Sequence, residues 1–306
     1  MPPCVVGNSA VTESAALHWS RDWPAPAKLN LFLHVTGRRA DGYHELQTVF
    51  RLLDVADRLD FAVTDDGEIC RVSDLPGVDQ AADLTVRAAR ALQQACGTAR
   101  GVRIRLHKRL PMGGGLGGGS SDAATTLLAL NHLWGAGLSP AALADIGLSL
   151  GADVPVFLHG HSSWGEGVGE RLQPLTLPPS WYVILCPQCA VSTAGIFADP
   201  ELTRNSAAIR IPAFLAGEGR NDCEPVVRRL YPEVAQALDW FGNQGKPRLT
   251  GTGACVFLAC VGQRRARSVG VRAAEAGWQV IVARGQDRSA LLDRLDVEAL
   301  PAGHAV

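Results

Sequence analysis

The sequence predicts an α+β fold of mixed order, and three observations predict it. "GVRIRLHKRLP" (101–111) alternates Val102, Ile104 and Leu106 against Arg103, Arg105 and His107. That is a half-buried strand, stopped by Pro111. "DLTVRAARALQQAC" (83–96) instead carries Leu84, Val86, Ala88, Ala89, Leu92 and Ala95 at helical spacing. The two periods exchange along the chain without a repeat of ~40 residues and without a low-complexity tract.

The elements follow in order. "LNLFLHVTGRR" (29–39) has β-rich apolar alternation and runs into the polar turn "RRADGYH". "HELQTVFRLLDVADRLDFAV" continues with strand-like stretches. In the helix 83–96, Asp83 suits an N-cap and Gly97 a stop. After the strand 101–111 comes a glycine loop, then a helix from about Ser120 to Trp134. Ala123, Leu127, Leu130 and Trp134 form one apolar face of it. "SPAALADIGLSL" (139–150) is a helix capped by Ser139, with Pro140 at its first position. Beyond about residue 172 come a strand "WYVILCP" (181–187), a helix "PEVAQALDW" and the loop and strand "RLTGTGACVFLAC". A helix near 264–276 and a strand "WQVIVAR" close the pattern.

Composition sets the bounds. The 306 residues are 47% hydrophobic and 19% charged, enough for one large or two medium domains. A net charge of −1 gives no electrostatic reason to expect nucleic acid as a partner. No apolar stretch nears the ~20 residues that span a bilayer. The N-terminus lacks the basic start and long apolar run of a signal peptide. A cytoplasmic protein is expected, and eight scattered cysteines suit reduced thiols there. Cys186 and Cys189 form a lone CxxC without the second pair a zinc site needs. The first twenty residues read as a disordered leader.

"LPMGGGLGGGSSDAATTLLALN" (110–131) carries the chemistry. Six of the seven residues after Met112 are glycine, directly ahead of a helix. Gly113, Gly115 and Gly118 fit a dinucleotide fingerprint. The acidic residue about 20 positions on is missing, however, and so is the strand that should carry it. A Walker A loop would end in G-K-[ST], whereas this run ends Gly119-Ser120-Ser121. A nucleophile elbow fails too, because in "GHSSWG" (160–165) Trp164 holds the last glycine place. A mere connector would not run into so well patterned a helix. A phosphate cradle fits best. Glycines bring backbone N–H groups close to a polyanion, and the helix start adds unsatisfied N–H groups and a positive dipole end. Ser120 and Ser121 offer hydroxyls to a phosphate or to Mg²⁺.

"PMGGGLGGGSSDAA" resembles the second motif of the galactokinase, homoserine kinase, mevalonate kinase and phosphomevalonate kinase superfamily. The doubled glycine form is similar to one branch, which phosphorylates a cytidine-diphosphate methylerythritol in the non-mevalonate isoprenoid pathway. "WPAPAKLNLFLHVTGRRADGYHELQT" (23–48), "LGADVPVFLHG" (150–160) with "EGVGE" (166–170), and "LTGTGACVF" (249–257) match it in the same order. The resemblance covers about residues 22–290. It implies a two-domain small-molecule kinase fold with the active site in the cleft between domains. Residues 21–172 would be the N-terminal domain with the ATP loop, and 173–306 the C-terminal one.

The resemblance also assigns roles. From the residues alone, Lys28 is a charge in an apolar first strand that needs a neighbouring carboxylate. Asp153, after the helix-ending Gly151, could be no more than a cap. The resemblance implies that Asp153 takes the proton from a substrate hydroxyl, with Lys28 paired to it. ATP, with Mg²⁺, would lie on Lys108 and on Pro111, Met112, Gly113, Gly114, Gly115, Leu116, Gly117, Gly118, Gly119, Ser120 and Ser121. No direct protein ligand for Mg²⁺ is assigned. Tyr43 and His44 would hold the cytidine of the substrate, by stacking and by an edge hydrogen bond. Asn30, Val168, Thr193 and Phe197 would line the sites. Gly251, Thr252 and Gly253 would close over the phosphates and substrate. Asp122 and Asp83 depart from the pattern, since an amide is expected at both. A sister kinase would not need Tyr43 and His44, and a non-catalytic nucleotide-binding module could dispense with Lys28 and Asp153.

Overall fold

The computed structural model of the chain describes residues 17–299; residues 1–16 of the expected leader lie outside the described residues. Strands β1 (Ser20–Arg38) and β2 (His44–Thr64) form a long antiparallel hairpin. β1 is buried without alternation from Trp23 to Asn30, because both its faces are covered. Periodicity therefore reveals only its second half. Then come β3 (Ile69–Arg71), α1 (Leu84–Cys96), β4 (Gly101–His107), α2 (Gly118–Leu133), α3 (Pro140–Leu150), α4 (Val154–His159), β5 (Ser163–Gly167) and β6 (Arg171–Pro174). The rest is β7 (Trp181–Leu185), α5 (Thr193–Ala198), α6 (Ile211–Leu215), α7 (Glu224–Leu230), α8 (Pro232–Gly242), β8 (Arg248–Leu249), β9 (Val256–Cys260), α9 (Gln263–Glu275), β10 (Val280–Gln286) and α10 (Ala290–Ala299). The expected α+β class is what forms.

Local chemistry sets several ends. The Asp83 carboxylate accepts from Thr85 N, and Gly97 ends α1 at φ 66°. Ser139 accepts from Ala142 N ahead of Pro140. α2 starts two residues earlier than expected, at Gly118, behind a left-handed Gly117. β4 stops at His107 and does not run to Pro111. Asp57 Oδ1 takes the N–H groups of Arg109 (2.5 Å) and Leu110 (2.8 Å) and turns the chain away.

β2 is the spine of the sheet. One edge pairs with β1, and the other takes three partners in succession. Residues 46–50 meet β5, Leu52 and Leu53 meet β10, and 58–64 meet β4. From β10 the sheet continues through β7 and β9 to β8. The outer edge of β1 is covered by loops. Lys28 N donates to Leu116 O (2.9 Å), Leu33 N to Arg220 O (2.9 Å) and Asn30 N to Thr250 Oγ1 (3.0 Å). The loops that seal this edge carry the sequence motifs.

The two largest of the buried clusters flank the hairpin. Trp23, Leu59, Ile104, Leu127 and Phe157 belong to the first, beneath α1 to α4. Val183, Leu185, Leu238, Phe241 and Leu258 belong to the second, with α8 and α9. β1 feeds both, with Ala25 in the first and Leu33 and Val35 in the second. Leu291 of α10 returns to the first core. Among the described residues no helix is long and apolar enough to cross a membrane. Cys186 and Cys189 are free thiols, and no group of three or more metal-binding side chains occurs among the described residues.

Candidate active site

A cleft of about 580 Å³ opens beside the hairpin. The glycine loop, Ala152 and Asp153 ahead of α4, the turn after β8 and the start of α5 wall it in. At its centre Lys28 Nζ lies 3.1 Å from Asp153 Oδ2 and donates to Asn30 Oδ1 at 2.6 Å. Lys28 is 2% exposed and Asp153 36%, so the ammonium is sealed and the carboxylate opens to the cleft. Asp153 heads α4, yet its side chain caps nothing. Asn30 is braced in turn, its Nδ2 donating to Thr48 Oγ1 (3.0 Å) and the Thr48 hydroxyl to Phe32 O (2.5 Å).

The glycines of the loop are required by close approach. A Cβ on Gly117, which sits at φ 74°, would lie 2.7 Å from the Phe157 ring and 3.1 Å from Lys28 Cε. One on Gly115 would strike the carbonyls of Thr250 and Gly253. The loop thus packs on both Lys28 and the turn 250–253. Cys255 N donates to Gly114 O (3.1 Å), and Thr250 Oγ1 to Gly115 O (3.2 Å).

At one end of the cleft Lys108 Nζ sits between Asp57 Oδ2 (2.5 Å) and Asp122 Oδ2 (3.0 Å). Burial works against the Lys108 charge, but Asp122 and Asp57 outweigh it and hold its pKa above the usual lysine range. Burial pushes the Asp122 carboxyl up to about 8, with Lys108 opposing and Asp57 adding. Asp83, also on the wall, pairs with Arg71 Nε at 2.6 Å. Of the two acids that depart from the expected amides, Asp83 thus pairs with Arg71, and Asp122 shares Lys108 with Asp57.

At the other end Thr193 and Thr252 share a hydroxyl hydrogen bond of 2.9 Å, and Phe197 lines the wall. His44 stacks on Phe197 with centroids 5.0 Å apart and planes at 29°. Burial, then Arg204 and Arg38, hold its pKa below the usual histidine value.

The cleft is lined by Lys28, Asn30, Lys108, Asp153, Val168, Thr193, Phe197, Gly251, Thr252, Gly253 and most of the loop. Four expected residues stand off it. The Leu116 side chain is 1% exposed in the core, and only its backbone meets Lys28. Ser121 points inward on α2, fully buried, while Ser120 faces the cleft. Tyr43 is 62% exposed on the hairpin turn, and His44 touches the cleft only through Phe197. Thr48, Asp57 and Thr250 were missed. Thr250 lies inside a quoted motif. Asp57 sits mid-strand without a local signal, and its partners are 51 to 53 residues away.

A glycine cradle at a helix start, beside a lysine–carboxylate pair, defines the site of a small-molecule kinase. Residues 83–161 match the family described as GHMP kinases N terminal domain, and 202–277 that described as GHMP kinases C terminal. A protein of Halorhodospira halophila named 4-diphosphocytidyl-2-C-methyl-D-erythritol kinase is 57% identical over 88% of this chain and 94% of its own. One of the same name from Nitrosococcus oceani is 56% identical over 90% and 98%. A solved structure of 4-(cytidine 5'-diphospho)-2C-methyl-D-erythritol kinase superposes with a TM-score of 0.73 at 37% identity, covering 86% of this chain and 98% of that one. The chain belongs to the 4-diphosphocytidyl-2-C-methyl-D-erythritol kinase family, within the GHMP kinases.

Proposed function

We propose that the protein transfers the γ-phosphoryl group of ATP to the 2-hydroxyl of 4-diphosphocytidyl-2-C-methyl-D-erythritol, in isoprenoid biosynthesis. The observation that carries the reading is the Lys28–Asp153 pair at 3.1 Å, set against the glycine cradle. Asp153 accepts the hydroxyl proton as the oxygen attacks phosphorus. Lys28, tied to Asn30, holds the carboxylate in place and meets the negative charge gathering on the oxygen. Phosphoryl transfer asks mainly for positioning and charge neutralisation. The N–H groups of Gly117 to Ser120 and the α2 dipole supply both for the phosphates.

Ser120, on the cleft wall beside the cradle, is placed to meet a magnesium ion carried in on the triphosphate. Such an ion would supply charge neutralisation for the phosphates. The Lys108 end takes the adenosine, and the Thr193 and Phe197 end the cytidine, with Tyr43 and His44 folding over the base. Both substrates are polyanionic small molecules, which suits a cytoplasmic enzyme. The test is ADP release with Mg²⁺ and three acceptors in parallel: the cytidine substrate, homoserine and mevalonate. Turnover with the first alone is expected; none with it, from folded protein, overturns the reading.

A further inference from the structure

Arg204 follows α5 and belongs to none of the matched motifs. Its guanidinium is held on three sides. One Nη donates to Leu202 O (3.1 Å), and the other to Phe197 O and Asp199 O (both 2.8 Å). The remaining Nε–H points at His44 Nε2, 3.2 Å away. A guanidinium does not lose its proton in a protein, so this N–H always donates. His44 Nε2 must then be the accepting nitrogen, and the ring proton sits on Nδ1. No acceptor among the described residues takes that Nδ1–H, so it is the polar ring atom left for a ligand.

We propose that Arg204 makes the enzyme select cytidine over uridine by locking His44 in the Nδ1–H tautomer. The proposal rests on the reading that His44 meets the edge of the substrate base. Cytosine offers a lone pair at N3, whereas uracil carries a hydrogen there. A fixed N–H donor finds an acceptor on the first and a second donor on the other. Discrimination thus comes from a repulsive element as much as an attractive one. With the other tautomer the same ring would accept, and uracil would fit.

The surroundings keep the lock shut. The charged groups acting on His44 are Arg204 and Arg38, both cationic, and with burial they oppose an imidazolium. A charged ring would turn Nε2 into a donor against Arg204. Phe197, whose carbonyl holds Arg204, also stacks on His44, so the base-binding ring and its lock move as one body. Arg204 is a positioning residue and need not touch substrate.

Its role is separable from merely bracing the segment 197–204. The tautomer is read by ¹⁵N NMR on histidine-labelled, substrate-free protein, with the His44 signals assigned from His44→Ala. Wild type is expected to show Nδ1–H, neutral near pH 7. Arg204→Met should admit the Nε2–H form and raise the His44 pKa. It should also cut the kcat/KM preference for the cytidine over the uridine substrate about tenfold, or ~1.4 kcal/mol, with the KM for ATP unchanged. If Arg204→Met does not fold, Arg204→Lys, which breaks the fork, carries the same test. Nε2–H in wild type overturns the proposal. So does an unchanged preference in a variant whose tautomer has shifted. An unchanged substrate KM in His44→Ala would instead overturn the cytidine reading itself.

Discussion

Asp153 heads helix α4 but turns from it to meet the Lys28 ammonium at 3.1 Å. Because the carboxylate caps nothing, its amide replacement leaves the helix intact. Asp153→Asn is therefore expected to fold and bind ATP normally while kcat falls 10²–10⁴-fold, the usual range for a lost general base. Lys28→Ala should lose turnover similarly. A kcat above a tenth of wild type in Asp153→Asn would remove it from the role.

Two glycines of the loop separate two costs. Gly113 and Gly117 both sit at positive φ, 69° and 74°. A Cβ on Gly113 meets nothing within 4 Å, while one on Gly117 meets Phe157 and Lys28. Gly113→Ala should cost only the backbone strain, ~1–2 kcal/mol. Gly117→Ala should cost more, and should lower kcat as well as ATP affinity, because it displaces Lys28. Thermal melts and steady-state kinetics on both variants measure the gap; equal effects would contradict the packing.

Asp122 ties stability to pH. Its folded value of about 8 stands above the ordinary 3.8, so the folded state binds the extra proton. The stability this gives is complete below the ordinary value and is lost as pH rises toward about 8. Asp122→Asn keeps an acceptor for Lys108 and removes the titration. Its denaturation midpoint should vary less than that of wild type between pH 5 and pH 9, measured at about one-unit steps. It should exceed wild type at the alkaline end.

Tyr43, 62% exposed, contributes little to folding. Tyr43→Ala should leave the melting temperature unchanged. It should raise the KM for the cytidine substrate roughly 5- to 150-fold, the worth of stacking on one base at ~1–3 kcal/mol. The KM for ATP should not move. A rise in the latter would assign the hairpin turn to the adenosine end.

What could be read along the chain was what is decided locally. The caps at Asp83, Gly97 and Ser139, the alternation of β4 and the glycine loop all depend on neighbours a few residues away. Lys28 and Asp153 were found through motif matches, since they are far apart in sequence and meet only in the folded chain. What stayed hidden was set by distant partners. β1 shows no period where both faces are buried. The Asp57 interactions cross more than 50 residues, and Arg204 reaches His44 across 160. The Ser121 side chain is buried for a simpler reason. The ~100° step between adjacent helical residues carries its hydroxyl past the cleft side, where Ser120 sits, into the buried side of α2.

The sealing of β1 by loops bears on how the chain is made. Its partner Leu116 is synthesised early, Arg220 late, and Thr250, which takes the N–H of Asn30, later still. A growing chain on the ribosome therefore carries the hairpin with one flank unpaired through most of translation. Such a flank is what strands of other molecules add to. The nascent protein is thus exposed to aggregation until its last third emerges. A chain truncated before residue 250 should therefore be insoluble as well as inactive.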